Sequence, residues 1–174
     1  VLIRVELPRD EDAIRLVHAR AFRRPEATDE EPIEARLVDD LRDSPEWIPE
    51  LSIVAINRTD VVGHVVCTRA YVGADAHPVL GLGPLGVSPR WQHQGVGSEL
   101  MRAAIAAADA LGEPLIGLLG SPDFYGRFGF VTSTDHGVLA PERGWGKHFQ
   151  VRVLRAYSAA ARGAFRYAKP FDSV

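Results

Sequence analysis

The 174-residue sequence predicts one mixed α/β domain. Short runs rich in β-branched residues recur along the chain (LSIVAIN, VVGHVVCTRAYV, FQVRVL), segments of helical period stand among them, and the joins carry Pro, Gly or polar turns. A chain of this length buries roughly two-thirds of the surface its unfolded form exposes, which supports one sizeable core and is too little for two ordinary domains. The domain is therefore expected to span residues 1–174.

Leu2 to Leu7 alternates as a strand, Pro8 breaks it, and Asp10 caps a helix whose Ile14, Val17 and Ala21 follow helical spacing. The charged stretch Arg23 to Glu31 leads to a second helix, with Ile33, Leu37, Val38 and Leu41 on one face, that stops before Pro45. Its acidic start, Asp29, Glu30, Glu31 and Glu34, reads as a solvated helix end whose dipole the carboxylates complement. LSIVAIN and VVGHVVCTRAYV, joined by the turn Asn57-Arg58-Thr59-Asp60, form an antiparallel hairpin, and Val79 to Val87 extends the sheet. That third strand holds Gly81, Gly83, Pro84 and Gly86, which weaken a regular ladder and predict a bulge or a close approach by another backbone or a ligand.

After the loop SPRWQHQ comes a long helix, from about Gly95 to Leu111, with Val96, Leu100, Ala104, Ala107 and Leu111 on one face and Gly112 as its stop. Pro114 to Leu119 reads as a buried strand, Ser121-Pro122-Asp123 as the start of a short helix, and FQVRVL, from Phe149, as a late strand. The Ala- and Arg-rich end, 158–174, is expected as a loosely packed C-terminal extension.

A formal charge of -3, with both signs interspersed, gives no electrostatic reason for a nucleic-acid or membrane partner, so a small molecule or another protein is expected. Cys67 is the only cysteine; it excludes an intrachain disulfide and reads as a small core hydrophobe rather than a nucleophile. The opening VLIRVEL lacks the basic-then-apolar order of a signal peptide, and no apolar run approaches the roughly 20 residues that span a bilayer. A soluble, cytoplasmic protein is the expectation.

The most informative segment runs from Val87 to Ser98: a strand end, a tight turn and the first turn of a helix, where up to four N–H groups lack intrahelical partners. The helix dipole adds roughly half a positive charge there, and a Cβ at Gly95 or Gly97 would hold a diphosphate away from those donors. Two other phosphate loops do not fit: a dinucleotide loop needs glycine where Leu100 stands, and a Walker loop needs Gly-Lys-Ser/Thr. NAD and ATP are weak candidates on that ground. The backbone does the binding, so the His93 side chain is expected to face solvent.

On these residues the chain resembles the GNAT superfamily of N-acetyltransferases, and within it a bacterial subgroup of predicted N-acetyltransferases. Gln92, Gly95 and Gly97 match the family's core signature, Val87, Pro89 and Trp91 match what precedes it, and Tyr125, Gly129 and Phe130 match its closing Tyr-x-x-x-Gly-Phe element. The strong match covers Leu82 to Phe130, within a weaker one from about Ile3 to Leu154. The resemblance implies an α/β (α+β) fold: a GNAT-like mixed, mostly antiparallel central sheet with a bulged, splayed strand pair and helices on both faces.

It also implies acetyl-CoA as acyl donor, with no metal, and a primary amine as acceptor that attacks directly in a ternary complex. The cofactor-binding residues so implied are Gln92, His93, Gln94, Gly95, Val96, Gly97 and Ser98 for the pyrophosphate and Leu85, Gly86 and Val87 for the pantetheine arm, the Leu85 N–H polarising the acetyl carbonyl. Ser121 either meets the arm or caps the short helix. Tyr125 is implied as the catalytic acid, a neutral phenol of pKa about 10 beside the departing thiolate; its other reading is an aromatic packed among Phe124, Phe128 and Phe130.

Some family members carry a glutamate base on the bulged strand, and none stands between Val79 and Val87 here. His18, Glu34 and His64 are the other candidates, none assigned, and solvent is an alternative acceptor of the proton. The family's acceptor site corresponds to Ala21–Ser44 and Thr132–His148, with Trp47 and Trp145 either lining a pocket or anchoring loops. The competing function is a non-catalytic acyl-CoA-binding sensor or regulatory module. A homodimer through a sheet edge or a helix is compatible with either.

Overall fold

A computed structural model describes residues 1–26 and 29–174, so residues 27 and 28 of the predicted charged stretch Arg23 to Glu31 lie outside the described residues. Strands β1 (Leu2–Val5), β2 (Ser52–Asn57), β3 (Asp60–Val72) and β4 (His77–Val87) form an antiparallel meander. β4 then runs parallel to β5 (Leu115–Leu119), which pairs antiparallel with β8 (Phe149–Val153), and β6 (Val131–Thr132) lies on the far edge. β9 (Gly163–Arg166) joins β3 at Tyr71 and Val72 and pairs with β7 (Val138–Leu139). The sheet is mixed and mostly antiparallel, as the sequence implied.

β3 shows how the sheet acquires helices on both faces. Its period of two sends Val65 and Cys67 to one side, where α3 (Val96–Ala110) brings Leu100, Met101 and Ala104, and Val66 to the other, where α2 (Ile33–Arg42) brings Leu37 and Leu41. Helix α1 (Glu11–Ala21) packs beside α2 through Ile14 and Val38 over Val54. Cys67 is fully buried and its thiol is pushed up to about 12 by burial, which makes it inert.

Two local readings need correction. The buried stripe of α3 is Val96, Leu100, Met101, Ala104 and Ala108; Ala107 packs partly buried against the same core, while Leu111, predicted on that face, is exposed. Asp10 sits at the start of α1 but does not cap it through its side chain. Its carboxylate instead accepts the Leu7 N–H at 2.7 Å and pairs with Arg4 at 2.6 Å, which ties the end of β1 to the turn before the helix.

The third strand carries the predicted bulge. Val65 faces Leu85 and Cys67 faces Leu82, so Gly83 and Pro84 together oppose the single residue Val66. On its other edge β4 pairs with β5 only at Leu80 with Ile116 and at Gly81 with Gly117. Past that point the two strands part.

The C-terminal segment covers the place where they still meet. Phe165 is buried against Phe149 and Tyr167, with ring centroids 5.0 and 4.9 Å away, and a Cβ at Gly117 would lie 2.5 Å from its ring. A Cβ at Gly81 would lie 2.7 Å from the Tyr167 ring. Both glycines of the β4–β5 junction are thus required by aromatic packing above them. Residues 158–174 were expected as a loose extension; buried Ala161, Phe165 and Ala168 tie them to the sheet instead, because two aromatics outweigh an Ala- and Arg-rich composition.

No helix among the described residues is long and apolar enough to cross a membrane. Removing the ring that seals the junction should be costly: Phe165→Ala is expected to lower unfolding free energy by about 3–5 kcal/mol in equilibrium urea denaturation. A loss below about 1 kcal/mol would contradict the placement of this segment in the core.

Candidate functional site

The gap between β4 and β5 exposes a defined set of backbone groups. The Ser88 N–H donates to the Val62 carbonyl at 2.9 Å, and residues opposite each other in an antiparallel pair alternate between bonded and non-bonded positions. Gly86 therefore bonds with His64 on β3, while Leu85 and Val87 turn their N–H and C=O groups into the gap. Of these, the Val87 carbonyl accepts the Gln92 side-chain N–H at 3.0 Å. Gly86 was expected to let a ligand approach, yet a Cβ there would lie 2.6 Å from His18 Nδ1. Its missing side chain makes room for α1, and its backbone serves β3.

At the outer mouth of the gap the chain makes a turn at Pro89–Trp91 and enters α3. Trp91 packs on the core, and Gln94 donates to the Arg90 carbonyl at 2.7 Å. His93 and Gly95 both take left-handed backbone angles, φ 60° and 87°, so glycine at 95 answers to conformation, with open space around its Cα. His93 is exposed, as expected. No side chain among the described residues caps α3, while buried Val96 and Leu100 anchor its first turn. The first N–H groups of the helix, on Val96, Gly97 and Ser98, thus point outward without a cap.

Gly97 is where the parts converge: a Cβ on it would touch Phe124 at 3.6 Å and Val87 at 3.8 Å. Phe124 belongs to α4 (Pro122–Tyr125). Ser121 precedes that helix; it is exposed and makes no side-chain cap, so of its two expected roles capping is the one not found. Its carbonyl accepts the Phe124 and Tyr125 N–H groups at 3.2 and 3.0 Å, which fixes the turn that presents Tyr125.

At the inner end of the gap lies a cavity of about 1020 Å³. Leu82 to Leu85 of the bulge, Leu119 of β5 and Tyr125 line one side of it, and Phe22, Leu37 and Trp145 line another. Tyr125 is half-buried, its ring edge-on to Phe124 at 4.8 Å and to Phe130 at 6.1 Å, and burial pushes its phenol up to about 12. It is a packed aromatic whose neutral phenol belongs to a cavity-lining residue. Carboxylates of Glu34, Glu46, Glu142 and Asp172 outnumber the cations Arg166 and Lys169 in the lining, which favours a cationic guest.

Both segments predicted to build an acceptor site contribute, through Phe22, Glu34 and Leu37 and through Glu142 and Trp145. Trp47 does not; it packs among Leu37, Leu41 and Val66 with the Arg42 guanidinium 5.2 Å above its ring. Tyr71, Arg166, Tyr167, Lys169 and Phe171 also line the cavity and were missed. No motif marks them, because β9 reaches the site only by crossing onto the end of β3.

Of the candidate bases, Glu34 lines the cavity, and His18 and His64 are wholly buried together. His18 Nε2 lies 2.8 Å from His64 Nδ1, and His64 Nε2 lies 2.8 Å from Ser52 Oγ. Ser52 donates to the Glu6 carboxylate at 2.6 Å, and Arg42 donates to the same carboxylate at 3.0 and 3.2 Å. Burial alone would raise the Glu6 pKa, but the His64 imidazole 3.6 Å away and hydrogen bonds from Arg42 and Ser52 hold it at about 2. Burial pushes both histidines below the ordinary imidazole value, His18 furthest, and Glu6 only partly offsets this at His64.

A pH dependence follows from those directions. The unfolded chain takes up protons on both histidines near pH ~6.5 while the folded chain resists until lower pH, so stability present above that pH is lost as it falls. Urea midpoints should drop between pH about 7 and about 5.5, and the drop should shrink in His64→Asn. An undiminished drop in that variant would contradict neutral burial of the pair.

A sheet split at a bulge, with an uncapped helix end at its outer mouth and a tyrosine-walled cavity at its inner one, is the GNAT-like fold that the resemblance implied. The chain belongs to the acetyltransferase (GNAT) family, whose sequence pattern matches residues 13–130. It is 30% identical over 155 residues to the uncharacterized N-acetyltransferase YhbS of Escherichia coli K12, covering 88% of this chain and 87% of that protein. To the uncharacterized N-acetyltransferase YjhQ of the same strain it is 32% identical over 170 residues, 94% and 90% of the two chains. Its fold is similar to that of Escherichia coli YhbS solved in complex with CoA, with a TM-score of 0.86, 29% identity and 98% and 91% of the two chains covered. A GNAT acetyltransferase from Brucella melitensis, solved in complex with acetyl-CoA, gives a TM-score of 0.79 at 30% identity, covering 98% and 97%.

Proposed function

We propose that the chain transfers an acetyl group from acetyl-CoA to a primary amine by direct attack in a ternary complex, with Tyr125 as general acid. The observation that carries this is the placement of the gap between an uncapped helix end and Tyr125, with Leu85 and Val87 turned into it. The binding of CoA and acetyl-CoA by two relatives of near 30% identity supports the donor.

In this reading the backbone N–H groups from His93 to Ser98 hold the diphosphate, aided by the helix dipole, while Gln92 braces the loop through Val87. The pantetheine arm adds to β4 as a further strand on Leu85 and Val87, beside Ser121. The Leu85 N–H donates to the acetyl carbonyl and stabilises the oxyanion that forms when the amine attacks. As the C–S bond breaks, the neutral Tyr125 phenol gives its proton to the thiolate. The acidic cavity receives the amine in its cationic form, and reliance on acetyl-CoA supports a cytoplasmic setting.

Calorimetric titration with acetyl-CoA, with NADH and ATP as controls, should show selective binding, and thiol release should follow from a screen of amines. Gly97→Val, which places a branched side chain against Phe124 and Val87, is expected to weaken acetyl-CoA binding about tenfold or more. Tyr125→Phe should bind normally and transfer about 10²-fold more slowly. Equal loss of binding in both variants would contradict this division of roles. Binding without transfer to any amine would favour the acyl-CoA sensor, a reading that the lack of a glutamate between Val79 and Val87 supports.

A further inference from the structure

The chain His18–His64–Ser52–Glu6 has a direction. Glu6 is ionised and accepts only, so the Ser52 hydroxyl hydrogen points to it and Ser52 can take a hydrogen bond only as acceptor. The His64 nitrogen facing Ser52 must then be Nε2–H, which leaves His64 Nδ1 as a lone pair. By the same step His18 donates through Nε2–H to His64 and carries a lone pair on Nδ1. That last atom is fully buried and has no hydrogen-bond partner. It lies over Gly86, the residue next to Leu85, and Phe22, which stacks on the His18 ring at 5.9 Å, lines the cavity. A basic nitrogen therefore lies against Gly86, between the cavity-lining residues Leu85 and Phe22, at the head of hydrogen bonds that all point away from it.

We propose that His18, His64, Ser52 and Glu6 form a proton relay that takes the proton of the acceptor ammonium, through one water, at His18 Nδ1. The proposal rests on the acetyl-transfer reading and supplies the base that the bulged strand lacks. The N–H bond of the ammonium breaks and its proton joins His18 Nδ1; the His18 Nε2 proton passes to His64 Nδ1. The positive charge then rests on His64, whose Nε2 stands 3.6 Å from Glu6 Oε2, and the freed amine attacks the thioester.

The other charges facing the pair are few. Arg42 of α2 holds Glu6, and Asp10 at the start of α1 is engaged by Arg4, so the net field at His64 is that of Glu6 and Arg42 together. In this proposal His18 meets the ammonium through a water, and His64, Ser52 and Glu6 position it and disperse its charge. Burial keeps both rings neutral at rest, as an acceptor of protons must be.

Two measurements on the full chain test this. Long-range proton–nitrogen spectra of the nitrogen-15-labelled protein should show both histidines as Nε2–H tautomers with Nδ1 unprotonated; a protonated Nδ1 on His18 would overturn the relay. Rates with acetyl-CoA and an amine from the screen should fall on the order of 10²-fold in His18→Asn near neutral pH, with the deficit shrinking as pH rises toward the pKa of the amine itself. Ser52→Ala, which removes one hydroxyl and leaves both rings, should show a smaller deficit with the same pH trend. Acetyl-CoA affinity by calorimetry should stay unchanged in both variants. A deficit that is equal at every pH, or none, with transfer intact would sink the relay alone, whereas absence of transfer by the unaltered chain would sink the acetyltransferase reading beneath it.

Discussion

Everything in this fold turns on β4 losing its partner. The extra residue at Gly83–Pro84 breaks the register with β3, and pairing with β5 ends at Gly81 and Gly117. Backbone N–H and C=O groups inside a domain normally find partners, and a strand edge left open within one is costly unless something completes it. The chain accepts that opening between two elements that hold its shape. Phe165 and Tyr167 clamp the closed end of the split, and the loop entering α3 holds the open end through Gln92 and Val87. The aromatic clamp would not be possible with side chains at Gly81 or Gly117, so these two glycines serve packing.

The same strand organises the chemistry on its other face. Gly86 faces α1 rather than the gap, and the space it leaves admits a buried imidazole. Helix α1, the β2–β3 hairpin and the start of the chain are thereby joined by one polar chain in an otherwise apolar layer, ending on an Arg42–Glu6 pair. Burying two histidines without charge is costly at acid pH, and a packing role alone would be met as well by aliphatic residues.

Much of this was legible in the sequence where a local signal was strong. The hairpin from Leu51 to Val72, the long helix after Gly95 and the bulged strand were all readable from β-branched runs, helical period and misplaced glycines. The loop proposed to hold phosphate, and Tyr125, could be singled out because the motifs that carry them fall within a dozen residues each. The reasons for individual glycines were not, since Gly81, Gly86 and Gly117 answer to Tyr167, His18 and Phe165, which are distant in the chain. The C-terminal wall of the cavity was hidden for the same cause, and the link from His18 to His64 spans 46 positions and joins a helix to a strand. Tertiary proximity of this kind leaves no periodic trace.

The proposed function depends above all on an acyl-CoA completing the edge of β4. Amide hydrogen exchange of the protein with and without acetyl-CoA, read residue by residue, tests it most directly. New protection is expected at Leu85 and Val87 and at the amides from His93 to Ser98, with Gly86, already paired to β3, unchanged. Protection confined to other segments, or saturating acetyl-CoA with no change at Leu85 and Val87, would contradict it.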